Sequence, residues 1–257
     1  MGERNSRYPD SVDRSGTKVP IAPVDVVSDA TGKGKQSLRL VVGMTGATGS
    51  ILGIRMLEAL RALGVETHLV MSEWAERTVK IETTYSIADV RALSSTYYRA
   101  GNQAAAVSSG SFPVDGMVII PCSMNTLAAI AHGLSDNLIA RAADVTLKER
   151  RQLVIVPRET PLNSIHLRNM LFLSEMGVSI TPPMPAFYNH PETIDDIVDH
   201  IVARVLDQLG IDNDLTDRWG INRRLGDDPA YAVAFRSVPG APRAAGHRDE
   251  AGFNDRR

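Results

Sequence analysis

LRLVVGMTGATG, Leu38 to Gly49, decides the fold: a short apolar strand runs into glycines at 43, 46 and 49. Leu38, Leu40, Val41, Val42 and Met44 form the near-continuous apolar run of a parallel strand covered on both faces. Gly43, Gly46 and Gly49 allow a tight turn and close backbone approach, while Thr45 and Thr48 offer hydroxyl donors. From Ser50 the apolar residues Ile51, Ile54, Leu57, Leu60 and Leu63 recur at helical spacing, and Gly64 stands at the C-terminal cap position. A phosphate at that helix N-terminus would meet free N–H groups and the positive end of the helix dipole. The spacing GxxGxxG is neither the dinucleotide fingerprint GxGxxG nor a P-loop, which leaves a mononucleotide open beside plain packing of the turn.

Around this stretch, 257 residues with 43% hydrophobic content can bury a sizeable core. The ends differ from the middle. Residues 1–36 and 220–257 are rich in charge, Gly, Pro and Ala with few large apolar residues, so both read as disordered tails. One domain over 37–219 remains, the size of a single open α/β sheet. A net charge of −2 offers no basic field for nucleic acid, and no apolar run is long enough to cross a membrane. The N-terminal tail lacks a signal-peptide core, so the expected location is the cytoplasm. Cys122 is the single cysteine, which rules out an intrachain disulfide, and the six histidines show no metal-ligand spacing.

Four further strands follow: 65–71, ending at Ser72; 116–121, running into Cys122, Ser123, Met124, Asn125 and Thr126; 152–157, running into Arg158 and Glu159; and 178–180. Each of the first three ends in polar residues, and ligands of open α/β sheets bind beyond the carboxyl ends of strands. Ser72 also fits a helix cap, and Arg158 with Glu159 also fits an internal ion pair. Between the second and third of the chain's five strands, 83–112 reads as a short helix near Ile87–Leu93 and a polar loop. Residues 137–150 are helical, with Arg141 and Lys148 on one face. Pro161 is expected at the first position of the next helix, which stops at Gly177. Beyond it, TPPMPAFYNHP constrains Phe187 and Tyr188, and 193–209 forms a closing helix in which Arg204 interrupts an apolar pattern.

TGATG, ETHLVMS, SSGSF, GMVIIPCS, RAADVTLKERR, RETPL and PPMPAFY together resemble the UbiX-type flavin prenyltransferase family over roughly 38–219. The resemblance implies a flavodoxin-like, Rossmann-like three-layer α/β/α fold with a mostly parallel sheet. It implies FMN without a metal, a homododecamer, and transfer of the dimethylallyl group of dimethylallyl phosphate to N5 and C6 of reduced FMN. The product is the prenylated FMN required by UbiD-type decarboxylases. Carried over by position, the FMN contacts fall on Gly46, Ala47, Thr48, Ser72, Ser123, Met124, Asn125, Thr126 and Arg158. The prenyl phosphate falls to Tyr188, Arg204, Lys148 and Arg141, and the catalytic roles to Glu159, Glu82 and Lys148. Thr48 stands where many relatives have serine, and Trp74 is a candidate for an apolar pocket wall. The resemblance also implies that several groups come from neighbouring subunits.

Two other readings are compatible with parts of the chain. PCSMNT resembles the cofactor loop of FMN-dependent cysteine decarboxylases, although their PxMNxxMW clamp is missing. A non-catalytic FMN-binding subunit of a hydroxyarylic acid decarboxylase would leave Lys148, Tyr188 and Arg204 without a role.

Overall fold

Six parallel strands organise the first of two units in this computed structural model, which describes residues 38–218. The expected tails, 1–36 and 220–257, lie outside the described residues. The strands are β1 (Arg39–Met44), β2 (Glu66–Met71), β3 (Thr96–Arg99), β4 (Gly116–Cys122), β5 (Gln152–Pro157) and β6 (Ser179–Ile180). Their order is β3-β2-β1-β4-β5-β6, so the chain builds outward from β1 in one direction and then returns to its other side at β4. That reversal makes the β1/β4 crevice the topological switch point, and without the edge strand β3 the order is the flavodoxin-like one.

β3 departs from the expected polar loop. Its sequence, TYYR, is only partly buried at the sheet edge, so no apolar run announces it; pairing of His68 to Met71 with Thr96 to Arg99 forms it. The other strands follow from alternation on a sheet covered on both sides. Val41, Val70, Met117, Ile119, Leu153 and Ile155 pack with α4 (Met124–Ala131), α5 (Leu138–Lys148) and α6 (Ser164–Glu175). The intervening residues Val42, Leu69, Val118 and Val154 are fully buried on the opposite face, which α1 (Ser50–Ala62) covers, with α2 (Glu73–Glu82) packed on α1. Each such side chain contributes about 1.5–3 kcal/mol by leaving water. Cys122 belongs to this core, and burial pushes its thiol far above the usual range.

Helix boundaries follow side-chain capping. Gly64 and Gly177 adopt positive φ just beyond α1 and α6, as expected of C-terminal cap positions. Ser72, Ser123 and Asn137 cap α2, α4 and α5. Pro161, by contrast, is not the first residue of α6. The Asn163 side chain accepts the Ile165 and His166 N–H groups and moves the start to Ser164. Much of the apolar periodicity of α6 faces outward: Ile165 is 62% and Leu171 60% exposed, while Met170 and Leu173 are buried.

The second unit begins at residue 181, and its described part leads through the proline-rich segment into α7 (Ile194–Gln208). A capping box between Thr193 and Asp196 starts that helix. Val198, Ile201, Val202, Val205 and Leu206 are buried, whereas Arg204 lies on the exposed side, which is how a charge fits into this apolar pattern. Among the described residues no helix is long and apolar enough to cross a membrane.

Candidate active site

Thr45 ties the two loops at the switch point together. Its hydroxyl donates to the Pro121 carbonyl at 3.0 Å and accepts from the Ser123 N–H at 2.7 Å, while its own N–H also reaches Pro121 O at 3.1 Å. The side chain is 2% exposed. Thr45 was expected to offer its hydroxyl to an anion; both its hydrogen-bonding directions are instead committed to β4, because a buried hydroxyl must find partners inside the protein. Sequence reading misses this role because the partners lie 76 and 78 residues away.

The N-terminus of α1 is also occupied from within. Glu82, at the end of α2, accepts the N–H groups of Gly49 and Ser50, each at 2.9 Å. Burial acts to raise its pKa, but hydrogen bonds from the Thr48 hydroxyl and from Ser50 and Gly49 outweigh it and hold the carboxyl below the usual range. The phosphate expected at this helix end thus meets a carboxylate already serving as its cap. Gly49 has φ of 95°, and a Cβ on Gly46 would fall 2.3 Å from Trp74 Cβ. Gly46 is therefore required by the start of α2. Trp74 itself is 65% exposed, with the Arg77 guanidinium 4.7 Å from the centre of its ring.

The start of α4 is different. Ser123 Oγ accepts the Thr126 N–H at 3.3 Å and approaches the Thr126 hydroxyl at 3.2 Å. The N–H groups of Met124 and Asn125, in the first turn, have no intrahelical carbonyl to receive them. Asn125 is exposed, Met124 and Thr126 are buried, and Ser72 stands at the neighbouring strand end, its Oγ accepting from Ala75 N at 3.1 Å. Both of the alternatives for Ser72 can hold together, since a capping oxygen retains its proton for donation. Beyond β5, the Arg158 N–H donates to Cys122 O at 3.0 Å. Arg158 and Glu159 are exposed, and no ion pair joins them among the described residues; Glu159 accepts from Thr160 N instead.

The carboxyl rim therefore gathers Gly46, Ala47, Thr48, Ser72, Ser123 to Thr126, Arg158 and Glu159, with Glu82 at the head of α1. This set fits a flavin mononucleotide: hydroxyls, an amide, first-turn N–H groups and a guanidinium are the donors a phosphate and a polar ring edge require. Lys148 is elsewhere. It ends α5 just before β5, at the amino rim, where it pairs with Glu149 at 2.5 Å beside Gly110. Arg141, in the first turns of α5, donates to Ser108 O at 3.2 Å and pairs with Asp144 at 2.7 Å. The shared face expected for these two cations exists, but about 10 Å of helical rise separates them.

Tyr188 and Arg204 stand on the second unit. Tyr188 meets His200 edge-on, with ring centres 5.5 Å apart. Arg204 donates to Asp207 Oδ2 at 2.6 Å, and Arg218 donates to Oδ1 of the same carboxylate at 2.7 Å. Neither His200 nor Asp207 was singled out in the sequence; their spacing around Arg204, at i−4 and i+3, is the signal that places all three on neighbouring positions of α7.

The Flavoprotein family profile matches residues 28–206. A probable UbiX-like flavin prenyltransferase of Escherichia coli is 61% identical over 183 residues, 71% of this chain and 93% of that protein. The flavin prenyltransferase LpdB of Lactiplantibacillus plantarum is 55% identical over 70% of this chain and 97% of its own length. Among solved structures, AnUbiX (PadA1) in complex with FMN and dimethylallyl pyrophosphate is 56% identical with a TM-score of 0.71, covering 72% of this chain and 98% of that one. A dodecameric FMN-dependent UbiX-like decarboxylase from Escherichia coli O157:H7 is 61% identical with a TM-score of 0.70, covering 71% and 99%. This chain belongs to the UbiX-like flavin prenyltransferases of the Flavoprotein family.

Proposed function

We propose that the protein joins the dimethylallyl group of dimethylallyl phosphate to N5 and C6 of reduced FMN and supplies the prenylated flavin to a UbiD-type decarboxylase. The observation that carries this reading is the carboxyl rim at the switch point, whose donors suit FMN, in a chain 56% identical to a protein solved with FMN and dimethylallyl pyrophosphate. Ser72, Ser123 to Thr126 and Arg158 would hold the flavin, with the unfilled first turn of α4 favoured over the capped α1 for its phosphate. Gly46, Ala47 and Thr48 would line the opposite loop.

Bound reduced FMN would supply nucleophilic N5 and C6: one bond replaces the broken bond to phosphate oxygen, and the other uses the alkene, with one proton lost from C6 and one delivered to the alkene carbon. The chain's cations and the Tyr188 hydroxyl neutralise the charge gathering on the departing phosphate. Glu82, held ionised by Thr48, Gly49 and Ser50, is suited to positioning and poorly suited to donating a proton at neutral pH. Glu159, exposed at the rim and free of an ion pair among the described residues, is the better proton carrier.

Lys148 at the amino rim supports a site shared between copies, since the carboxyl rim of its own first unit lies at the far end of the strands. The apolar outer face of α6 supports assembly as well, and a dodecamer is the proposed form, as in the Escherichia coli O157:H7 relative. The test is phosphate release by purified protein given dimethylallyl phosphate anaerobically. Release that depends on reduced FMN and falls in Glu159→Gln supports the reading; release indifferent to the flavin, or none, sinks it.

A further inference from the structure

Asp207, an acidic residue of α7 that the prenyl-transfer reading leaves unused, holds a cation that the reading does use. Arg204 and Asp207 stand three residues apart on the helix, so their side chains meet. Arg204 Nη1 donates to Asp207 Oδ2 at 2.6 Å, and Arg218, from the segment beyond the helix, donates through Nη2 to Oδ1 at 2.7 Å. The Asp207 side chain is 15% exposed and that of Arg204 is 52% exposed, so the anchor is mostly enclosed while the guanidinium stays open. Among the described residues Asp207 is the one hydrogen-bond acceptor of that guanidinium, and it engages one nitrogen of three. Arg204, Asp207 and Arg218 line a common cavity of about 670 Å³, which leaves room for a phosphate beside the pair.

We propose that Asp207 is a positioning residue for Arg204, holding its guanidinium in the orientation from which it binds the phosphate of the prenyl donor. The proposal rests on the reading of Arg204 as a prenyl-phosphate group. An arginine side chain has several rotatable bonds, and ordering them costs free energy when a ligand binds. A guanidinium already held at one edge has less of that freedom to lose. Its five N–H donors have fixed directions in one plane, so seating Nη1 on Asp207 sets the directions of the others, which remain for phosphate oxygens. Arg218 holds the second oxygen of the carboxylate and so fixes Asp207 itself, rather than leaving it to swing with Arg204. Asp207 does not help a phosphate by its charge, since two anions repel. Positioning and charge therefore give opposite outcomes when that charge is removed.

Calorimetric titration of dimethylallyl phosphate into the intact assembly loaded with oxidised FMN, which lacks the nucleophilic form, reads binding without turnover. The variants are Asp207→Asn, Asp207→Glu, Arg218→Gln and Arg204→Ala, with Asp207→Asn and Arg218→Gln also combined with Arg204→Ala. Asp207→Asn is expected to weaken dimethylallyl phosphate binding about three- to tenfold, the worth of one net hydrogen bond, with FMN affinity unchanged. Asp207→Glu, which keeps a carboxylate, recovers most of that loss, and Arg218→Gln weakens binding by a smaller factor. On top of Arg204→Ala neither substitution costs anything further, since both act through that guanidinium. Unchanged or tighter binding in Asp207→Asn overturns the proposal. So does a further loss in the Arg204→Ala background, or equal losses toward both ligands that track melting temperature. If Asp207→Asn does not fold, Arg218→Gln carries the test, and unchanged binding in it overturns the proposal. Arg204→Ala protein that binds as tightly as wild type removes the premise. Wild-type protein that makes no prenylated flavin from reduced FMN refutes the functional reading itself and so is a distinguishable failure.

Discussion

Replacing Thr45 by valine is the sharpest perturbation of the site's framework, because it changes one buried hydroxyl for a methyl at almost constant volume. Pro121 O would keep the Thr45 N–H, but the Ser123 N–H would lose the side-chain acceptor that now stands 2.7 Å away. One lost hydrogen bond and one stranded buried donor together cost about 2–4 kcal/mol. For a folded region of this size that corresponds to a fall of about 4–16 °C in melting temperature. Thermal unfolding of the FMN-free protein reads it, and fluorescence titration with FMN reads the loosening of the Ser123–Thr126 loop. Thr45→Ser, which keeps the hydroxyl, should lose less than half as much. If Thr45 were instead a ligand donor, Thr45→Val would weaken FMN binding and leave the FMN-free protein's melting within about 2 °C of wild type. That result would refute the stitching role.

Other outcomes follow from the same contacts. Gly46→Ala should disrupt the α1–α2 junction at a cost of about 1–3 kcal/mol or more by overpacking; Trp74→Gly should relieve it and Trp74→Ala should not, because the clash is with Trp74 Cβ. Glu82 has a folded-state pKa below its unfolded one, so its contribution is full above the unfolded value of about 4.3 and is lost as pH falls through the folded value. A Glu82→Gln variant should therefore be less stable by at most about 1 kcal/mol near neutrality, the gap closing in acid, as read by urea denaturation at several pH values. Cys122, buried with its thiol pKa raised, should resist a colorimetric thiol reagent until the protein unfolds; stoichiometric labelling of native protein would contradict its placement. Leu171→Glu on the exposed face of α6 should shift the sedimenting species to a smaller assembly, and an unchanged dodecamer would exclude that face from the interface.

The sequence makes the main strands legible because their apolar runs are local and bounded by turns, as with VVGM before the first loop and GMVIIP before the second. It places Ser72, Ser123 and Arg158 at strand ends for the same reason. What it hides is what distant segments decide. β3 is a strand because β2 offers an edge to TYYR, and α6 starts at Ser164 because Asn163 captures its first N–H groups ahead of the proline signal. Thr45, Thr48 and Gly46 look alike as parts of a glycine-rich cradle. The fold gives them separate tasks: one ties β1 to β4, one bonds to Glu82, and one makes room for Trp74. Lys148 looks like a neighbour of the rim until the direction of α5 is known, and the return of that helix to the start of β5 moves it to the opposite end.

Transfer of a prenyl group to flavin is the reaction proposed for this protein. Purified assembly incubated anaerobically with reduced FMN and dimethylallyl phosphate, followed by mass spectrometry of the released flavin, measures it directly. A flavin heavier by one five-carbon prenyl unit is expected, absent when Arg204 is replaced by alanine. Unmodified FMN recovered from well-folded, FMN-loaded protein would contradict it.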